Sequence, residues 1–209
     1  MDGSRSRLLA GQAQRFLREF LVRPKTVGAI APSSRGLARR MVEGLSLEQA
    51  SAVVEYGPGT GAFTEEILRR LAPGSRFFAI ERSPDMARDL RRRFPQLKLY
   101  EESAADVERL CSAEGVRPGE VDCIVSGLPF AAFPIELQQA IIAATLRVLK
   151  PGGQFVTFAY YVAHLKKAGR EFRRLLERSF DRVELSRGVM FNMPPAFVYR
   201  CRKGGSDQA

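Results

Sequence analysis

The sequence predicts an α/β fold in which a mostly parallel sheet carries helices on both faces. Three observations lead there. From residue 51 onward, short β-branched runs alternate with longer segments of helical periodicity, the pattern of βαβ units. The first strand passes straight into a glycine turn and then a helix, through Glu55-Tyr56-Gly57-Pro58-Gly59-Thr60-Gly61. The last two strands have no helix between them, so they should form a hairpin that places one antiparallel strand in the sheet.

Two helical segments precede the first strand. Arg5 to Val22 sets Leu8, Leu9, Ala13, Phe16, Leu17, Phe20 and Leu21 at helical spacing, with Arg5, Arg7, Arg15 and Arg18 filling much of the remainder. Pro24 ends it. A second helix starts near Ser33-Ser34, either of which can cap it, and runs to about Gly44.

The alternation then reads Ser51–Tyr56 strand, Ala62–Leu71 helix, Arg76–Glu81 strand and Pro84–Phe94 helix. Ser83 caps that last helix and proline takes its first position. Leu97–Tyr100 is a short strand, Ala104–Ala113 a helix, Val121–Ser126 a strand and Ile135–Leu149 a helix stopped by Lys150-Pro151-Gly152-Gly153. Gln154–Tyr160 is a strand and Ala163–Arg178 a helix; Arg182–Ser186 and Phe197–Cys201 are the closing strands, joined through Asn192-Met193-Pro194-Pro195. This divides the chain into N-terminal helices (1–50, the first as a membrane-contacting helix and the second as a lid or substrate helix), a core (51–203) and a disordered tail (204–209).

Bulk composition limits the function classes. A chain of 209 residues with 45% hydrophobic and 27% charged side chains suits one domain with a full core. The cysteines Cys111, Cys123 and Cys201 are scattered, so neither a disulfide framework nor a zinc site is expected, and a reducing compartment fits. No run of about 18 apolar residues suggests a bilayer span, and the N-terminus does not read as a secretory signal. The net charge of +10 implies an anionic partner, whether nucleic acid, acidic membrane or phosphorylated substrate.

The glycine loop carries the first chemistry. Glycines let backbone pass close beneath a ligand, and the helix that follows offers unpaired N–H groups to an anionic group. Glu81, at the end of the next strand, can accept hydrogen bonds from both hydroxyls of a ribose. Dinucleotide enzymes space their glycines G-x-G-x-x-G, whereas this loop is G-x-G-x-G. With Glu55 before it and Val148-Leu149-Lys150-Pro151-Gly152-Gly153 before the fifth strand, it resembles the class I S-adenosylmethionine-dependent methyltransferases.

That resemblance covers the chain from about residue 50 onward. It implies a seven-stranded Rossmann-like sheet of order 3-2-1-4-5-7-6, S-adenosyl-L-methionine as cofactor and S-adenosyl-L-homocysteine as product. The cofactor-binding set it implies is Glu55, Tyr56, Gly57, Gly59, Thr60, Gly61, Glu81, Arg82, Ser103, Ala104 and Ser126, with Glu55 near the methionine end and Glu81 on the ribose. Where the family has an acidic residue for the adenine amine this chain has Ser103, with Asp106 further along. Asp106 serves equally as a first-turn helix residue favoured by the helix dipole.

Ser126-Gly127-Leu128-Pro129-Phe130 follows the fourth strand, and ligand crevices lie at the carboxyl ends of such strands. It resembles the N-L-P-Y type motif of amino-group methyltransferases. The implied catalytic residues are Ser126 in the polar position, Leu128, Phe130 as the aromatic beside a cationic centre, and Tyr160. Tyr161 and the solitary His164 are further candidates to position an amine or relay its proton. No metal is coded and none is needed, because in-line transfer depends on alignment.

Three separated segments, Arg23–Ser34, Ser126–Phe130 and Asn192–Ala196, resemble bacterial phospholipid N-methyltransferases, which act on phosphatidylethanolamine. The implied protein is a peripheral enzyme on the cytoplasmic inner face of the membrane. Its partners would be an anionic membrane surface and a phospholipid, met through Arg5, Arg7, Phe16, Arg18, Phe20, Ser33 and Asn192. An amphipathic helix rich in arginine lies naturally in such a surface, although it can equally pack on its own core. More distantly the chain is similar to the ribosomal RNA adenine dimethyltransferases. That alternative is disfavoured by Ser126 in place of asparagine and by the lack of a C-terminal helical RNA-binding domain. A binding module without turnover would not need the intact glycine loop and Glu81. The sequence leaves the oligomeric state open.

Overall fold

A computed structural model describes residues 33–205. The expected helix over residues 5–22, with Arg5, Arg7, Phe16, Arg18 and Phe20, lies outside the described residues, as does most of Arg23–Ser34. Seven strands form one sheet: β1 (Ala52–Tyr56), β2 (Arg76–Ile80), β3 (Lys98–Tyr100), β4 (Val121–Ser126), β5 (Leu149–Tyr160), β6 (Arg182–Leu185) and β7 (Ala196–Arg202). Their order is β3-β2-β1-β4-β5-β7-β6. β7 runs antiparallel to both its neighbours, and the remaining pairs are parallel, as the missing helix between the last two strands requires.

Helices α1 (Arg35–Val42), α2 (Ala62–Leu68), α3 (Pro84–Arg93), α4 (Val107–Ala113), α5 (Ile135–Val148), α6 (Tyr161–His164) and α7 (Lys167–Ser179) complete the order. Strand residues alternate between the two faces. Val54, Phe78, Ile124 and Phe155 face a core shared with α4, α5 and α7. Val53, Val125, Val156 and Val198 face α1 and α2. A smaller cluster under α3 joins Ala79, Leu90, Phe94 and Leu97.

Local chemistry sets the ends of these helices. The Ser34 hydroxyl accepts from the Leu37 N–H at 3.2 Å and Ser83 from Met86 at 3.4 Å, each satisfying an otherwise unpaired donor. Arg91, Arg92 and Arg93 fill the last turn of α3, where positive charge suits the dipole.

Several boundaries differ from the sequence reading. Lys150–Gly153 does not separate helix from strand: β5 begins at Leu149, and its pairing with β4 shifts register between Val121 and Cys123. Gly153 sits there against carbonyls, since a Cβ on it would lie 2.8 Å from the Lys150 oxygen. The helix expected over Ala163–Arg178 is two, because Lys166 takes an extended conformation. The second folds back until a Cβ on Gly169 would lie 2.2 Å from the Ala163 oxygen.

In the helix expected at residues 34–44 as a lid or substrate helix, Leu37 and Met41 are fully buried, so α1 packs as part of one helical layer. Of the tail, Gly204 is held near the body, its carbonyl accepting from the Gly152 N–H at 3.3 Å.

Candidate functional site

A cavity of about 270 Å³ opens at the carboxyl ends of β1, β2 and β4, with residues of the β1–α2 turn as part of its wall. The turn is packed from below. The Gly57 N–H donates to the Ile80 carbonyl at 2.8 Å, and the Gly127 N–H to the Tyr56 carbonyl at 2.7 Å. A Cβ on Gly127 would sit 2.4 Å from the Gly57 oxygen. The loops after β1 and β4 therefore touch through backbone, and only glycine at 127 permits it. Above them, a Cβ on Gly59 would meet nothing within 4 Å, which leaves backbone open to a ligand.

Two buried carboxylates stand behind the turn. Glu81 lines the cavity and is only 3% exposed. It accepts from the Gly59 N–H at 3.1 Å and the Ser83 N–H at 2.9 Å. Burial raises its carboxyl above the ordinary range, and backbone donors from Ser83, Gly59 and Arg82 oppose that rise. Glu55 is fully buried and does not reach the wall; one oxygen accepts from the Thr64 hydroxyl at 2.7 Å and the other has no partner. Burial pushes the Glu55 carboxyl up to about 8, against the pull of Thr64 and with a further push from the Glu81 charge.

The remaining wall is mostly apolar. Met86, Ala104 and Ile141 line one end, with Ser103 and Arg82 at its edge. Burial lowers the Arg82 guanidinium while the Asp106 charge raises it. Asp106 itself is exposed and absent from the wall, and so takes the helix-start role. Ser103 spends its hydroxyl on capping, accepting from the Ala105 N–H at 3.2 Å. The other end is lined by Leu128, Pro129, Phe133, Phe158 and Tyr160, and Ser33 reaches the same space.

The structure thus brings together Gly57, Gly59, Thr60, Glu81, Arg82, Ser103, Ala104, Leu128, Tyr160 and Ser33. Other expected site residues turn elsewhere. Phe130 is buried in the core, stacked on Phe172 at 4.6 Å and edge-on to Phe133 and Phe155. The aromatic presented to the cavity from this loop is Phe133, because a 3₁₀ turn at Phe130–Ala132 rotates the chain between them.

Ser126 is buried below the wall, its hydroxyl accepting from the Leu128 N–H at 3.3 Å, so it shapes the loop. Tyr56 points away into the α5 layer, its hydroxyl 3.2 Å from that of Thr145. Gly61 caps α2 behind the cavity. Asn192 is 2% exposed. It accepts from the Ser34 N–H at 3.0 Å and donates to the Pro194 carbonyl at 2.7 Å, so it ties its loop to the start of α1 and lies off the cavity wall.

His164 bonds the Tyr199 hydroxyl at 2.8 Å and stands edge-on to Phe197, with burial lowering its pKa. It lines no part of the cavity. Phe133, Phe158, Met86 and Ile141 were missed by the sequence reading. Phe133 had a usable signal, three residues beyond the Leu-Pro-Phe turn; the others look like ordinary core positions until the sheet brings them together. Among the described residues no group of three or more His, Cys, Asp or Glu side chains is placed to hold a metal. No described helix is long and apolar enough to cross a membrane.

The cavity fits a nucleoside with a charged tail. A buried carboxylate faces it, bare glycine backbone borders it, and an apolar slot of Met86, Ala104 and Ile141 can take a flat base. Comparison with known proteins agrees. Residues 53–153 match a family described as Methyltransferase domain. The chain is 35% identical over 192 residues to an ornithine lipid N-methyltransferase from Singulisphaera acidiphila, covering 90% of this chain and 94% of that protein. It is 37% identical over 97 residues to ribosomal RNA small subunit methyltransferase A from Acidobacterium capsulatum, covering 46% of this chain but 33% of that one. The solved structure of an S-adenosylmethionine-dependent O-methyltransferase from Thermotoga maritima superposes with a TM-score of 0.64 at 14% identity, over 93% of this chain and 73% of that one. That last likeness concerns the fold.

Proposed function

The chain belongs to the S-adenosylmethionine-dependent N-methyltransferases, and from that premise we propose that it methylates the amine of a membrane lipid. One observation carries the lipid reading. The match to a lipid N-methyltransferase runs through 94% of that protein, whereas the match to the RNA enzyme covers only 33% of its length. The acceptor we put first is an ornithine lipid. Phosphatidylethanolamine is the second reading, favoured by the resemblance of Arg23–Ser34, Ser126–Phe130 and Asn192–Ala196 to phospholipid N-methyltransferases. Both lipids present a primary amine tethered to acyl chains.

In this reading the Gly57–Gly61 turn and Glu81 hold the sugar and tail of the cofactor, and Met86, Ala104 and Ile141 hold its base. S-Adenosylmethionine would supply an electrophilic methyl group, its methyl–sulfur bond breaking as the nitrogen–methyl bond forms and S-adenosylhomocysteine leaving as the neutral thioether. The chain must present a neutral amine in line with it, and alignment provides most of the rate. Phe133, Phe158 and Tyr160 form the apolar wall against which the amine is held, a surface that also favours the cationic product. Burial pushes the Tyr160 phenol up to about 12, so it stays protonated near neutral pH and positions the amine without taking its proton.

The acceptor is identified by offering labelled S-adenosylmethionine with ornithine lipid vesicles, phosphatidylethanolamine vesicles and unmodified ribosomal RNA in parallel. Label in a lipid arm is expected. Label confined to RNA would overturn the reading.

A further inference from the structure

One part of the surface is unlike the rest. Among the described residues, Met190, Phe191 and Met193 are 66%, 100% and 71% exposed, and Val162 and Leu165 are 61% and 72% exposed. The first three lie on the loop between β6 and β7, and the other two on and just after α6. The two segments are joined. The Tyr161 N–H donates to the Pro195 carbonyl at 3.1 Å, and a Cβ on Gly188 would lie 2.4 Å from the Tyr161 hydroxyl. Exposed apolar side chains clustered in this way mark an interaction surface.

The patch also has a sign. Residues 161–170 and 186–195 contain Lys166, Lys167, Arg170 and Arg187 and no carboxylate; all four cations are exposed, and the adjoining Glu171 pairs with Lys167 at 3.8 Å, a surface pair that contributes little. It borders the cavity mouth, because Tyr160 lines the cavity and the next residue begins α6. Asn192 ties the same loop to Ser34, next to the cavity-lining Ser33.

We propose that this rim is the membrane-docking face, with Phe191 entering the acyl boundary of an anionic bilayer and the four cations resting on its headgroups. The proposal deepens the lipid reading above and rests on it. A fully exposed ring needs no matching pocket in a fluid hydrocarbon layer, and cations around an apolar tip suit anionic lipid. Two copies packed through this face would set cations against cations. So would the chain's own residues 1–32, which hold Arg5, Arg7, Arg15, Arg18, Arg23 and Lys25 against Asp2 and Glu19. Docked in this way, the cavity mouth faces the leaflet, and a lipid amine reaches it without its acyl chains crossing water.

The protein contains no tryptophan, so Phe191→Trp gives a single fluorescent reporter at the tip. Its emission is expected to shift blue, and to be quenched by brominated acyl chains, on adding phosphatidylcholine vesicles that contain phosphatidylglycerol. Arg117→Trp, at an exposed site before β4, should stay red-shifted. Phe191→Asp with Met193→Asp should weaken vesicle binding about tenfold or more, given the apolar area withdrawn, while S-adenosylmethionine affinity shows the fold intact.

A reporter that stays red while the protein sediments with vesicles would overturn the proposal and place binding elsewhere. Blue emission before vesicles are added would also overturn it, with concentration dependence separating a second copy from the chain's own residues. Failure of the lipid reading appears differently: insertion of the reporter with no label in any lipid.

Discussion

The cavity half around Gly57–Gly61 and Glu81 is made of backbone and a buried carboxylate, whereas the half around Leu128–Phe133 and Tyr160 is made of loop side chains. The first is bound into the sheet by the N–H groups of Gly57, Gly127 and Gly59, which donate to the Ile80 carbonyl, the Tyr56 carbonyl and the Glu81 carboxylate. The second hangs on a 3₁₀ turn and on the end of β5, beside the most exposed apolar residues of the described chain. The difference teaches how one fold keeps a cofactor and changes an acceptor. Backbone contacts are indifferent to side-chain replacement, while a wall of side chains can be rewritten without disturbing the sheet.

The largest expected effect tests where the acceptor half ends and the core begins. Phe130→Ala should cost about 3–5 kcal/mol of stability, as for other buried aromatics, measured by chemical denaturation. S-Adenosylmethionine affinity of the folded protein should stay close to wild type. Unchanged stability with lost methyl transfer would return Phe130 to the site.

Next is the cofactor half. Glu81→Gln removes a charged hydrogen-bond acceptor worth about 1.5–3 kcal/mol, so calorimetry should show S-adenosylmethionine binding weakened roughly tenfold to a hundredfold. Equal affinity in that variant would remove Glu81 from ribose recognition.

Glu55 makes the same half pH-dependent. Its carboxyl rises from the ordinary 4.5 to about 8 on folding, so the unfolded chain gives up this proton first. The stability associated with the protonated group is complete below about pH 4.5 and is lost as pH rises toward 8. Glu55→Gln should gain on wild type across that window, by at most about 1.4 kcal/mol per pH unit. Parallel stability curves for the two proteins would show that Glu55 is already ionised when folded.

The smallest effect returns to the acceptor wall. Tyr160→Ala should lower kcat/KM by severalfold to about thirtyfold, equivalent to roughly 1–2 kcal/mol of ring contact with a cation. Tyr160→Phe should keep most of the activity if the ring, and not the hydroxyl, positions the amine. A large loss in Tyr160→Phe would assign the hydroxyl a direct part.

Legibility in the sequence follows the same division. The parallel sheet, the antiparallel β7 and the glycine turn were readable because each depends on local pattern: alternation, a missing helix, glycines after a β-branched run; the strand order came only from the resemblance to the class I methyltransferases. Glu81 was readable because a strand fixes its distance from the turn. Phe130 was misplaced because the sequence does not reveal a 3₁₀ turn that swings one phenylalanine inward and another outward three residues later. Asn192 looked polar and available, yet its partners are 158 residues away at Ser34 and close by at Pro194. The break at Lys166 escaped notice because Leu165, Gly169 and Phe172 still keep helical spacing, while the close approach of Gly169 to the Ala163 carbonyl shows only in the structure.

The placement of α1 has a consequence for how the molecule is made. It is the first of the described elements to leave the ribosome, yet its apolar side faces Val156 and Val198, which are synthesised much later. Arg200 at the far end of the chain donates to the Arg40 carbonyl at 2.8 Å and pairs with Glu43 at 3.1 Å. The turn, Glu81 and Ser103 all emerge well before β7, but α1 and the loop between β6 and β7 wait for that strand. Through synthesis Leu37 and Met41 therefore lack the strands that will cover them, and the nascent chain is most exposed to misassociation just before its last strand arrives.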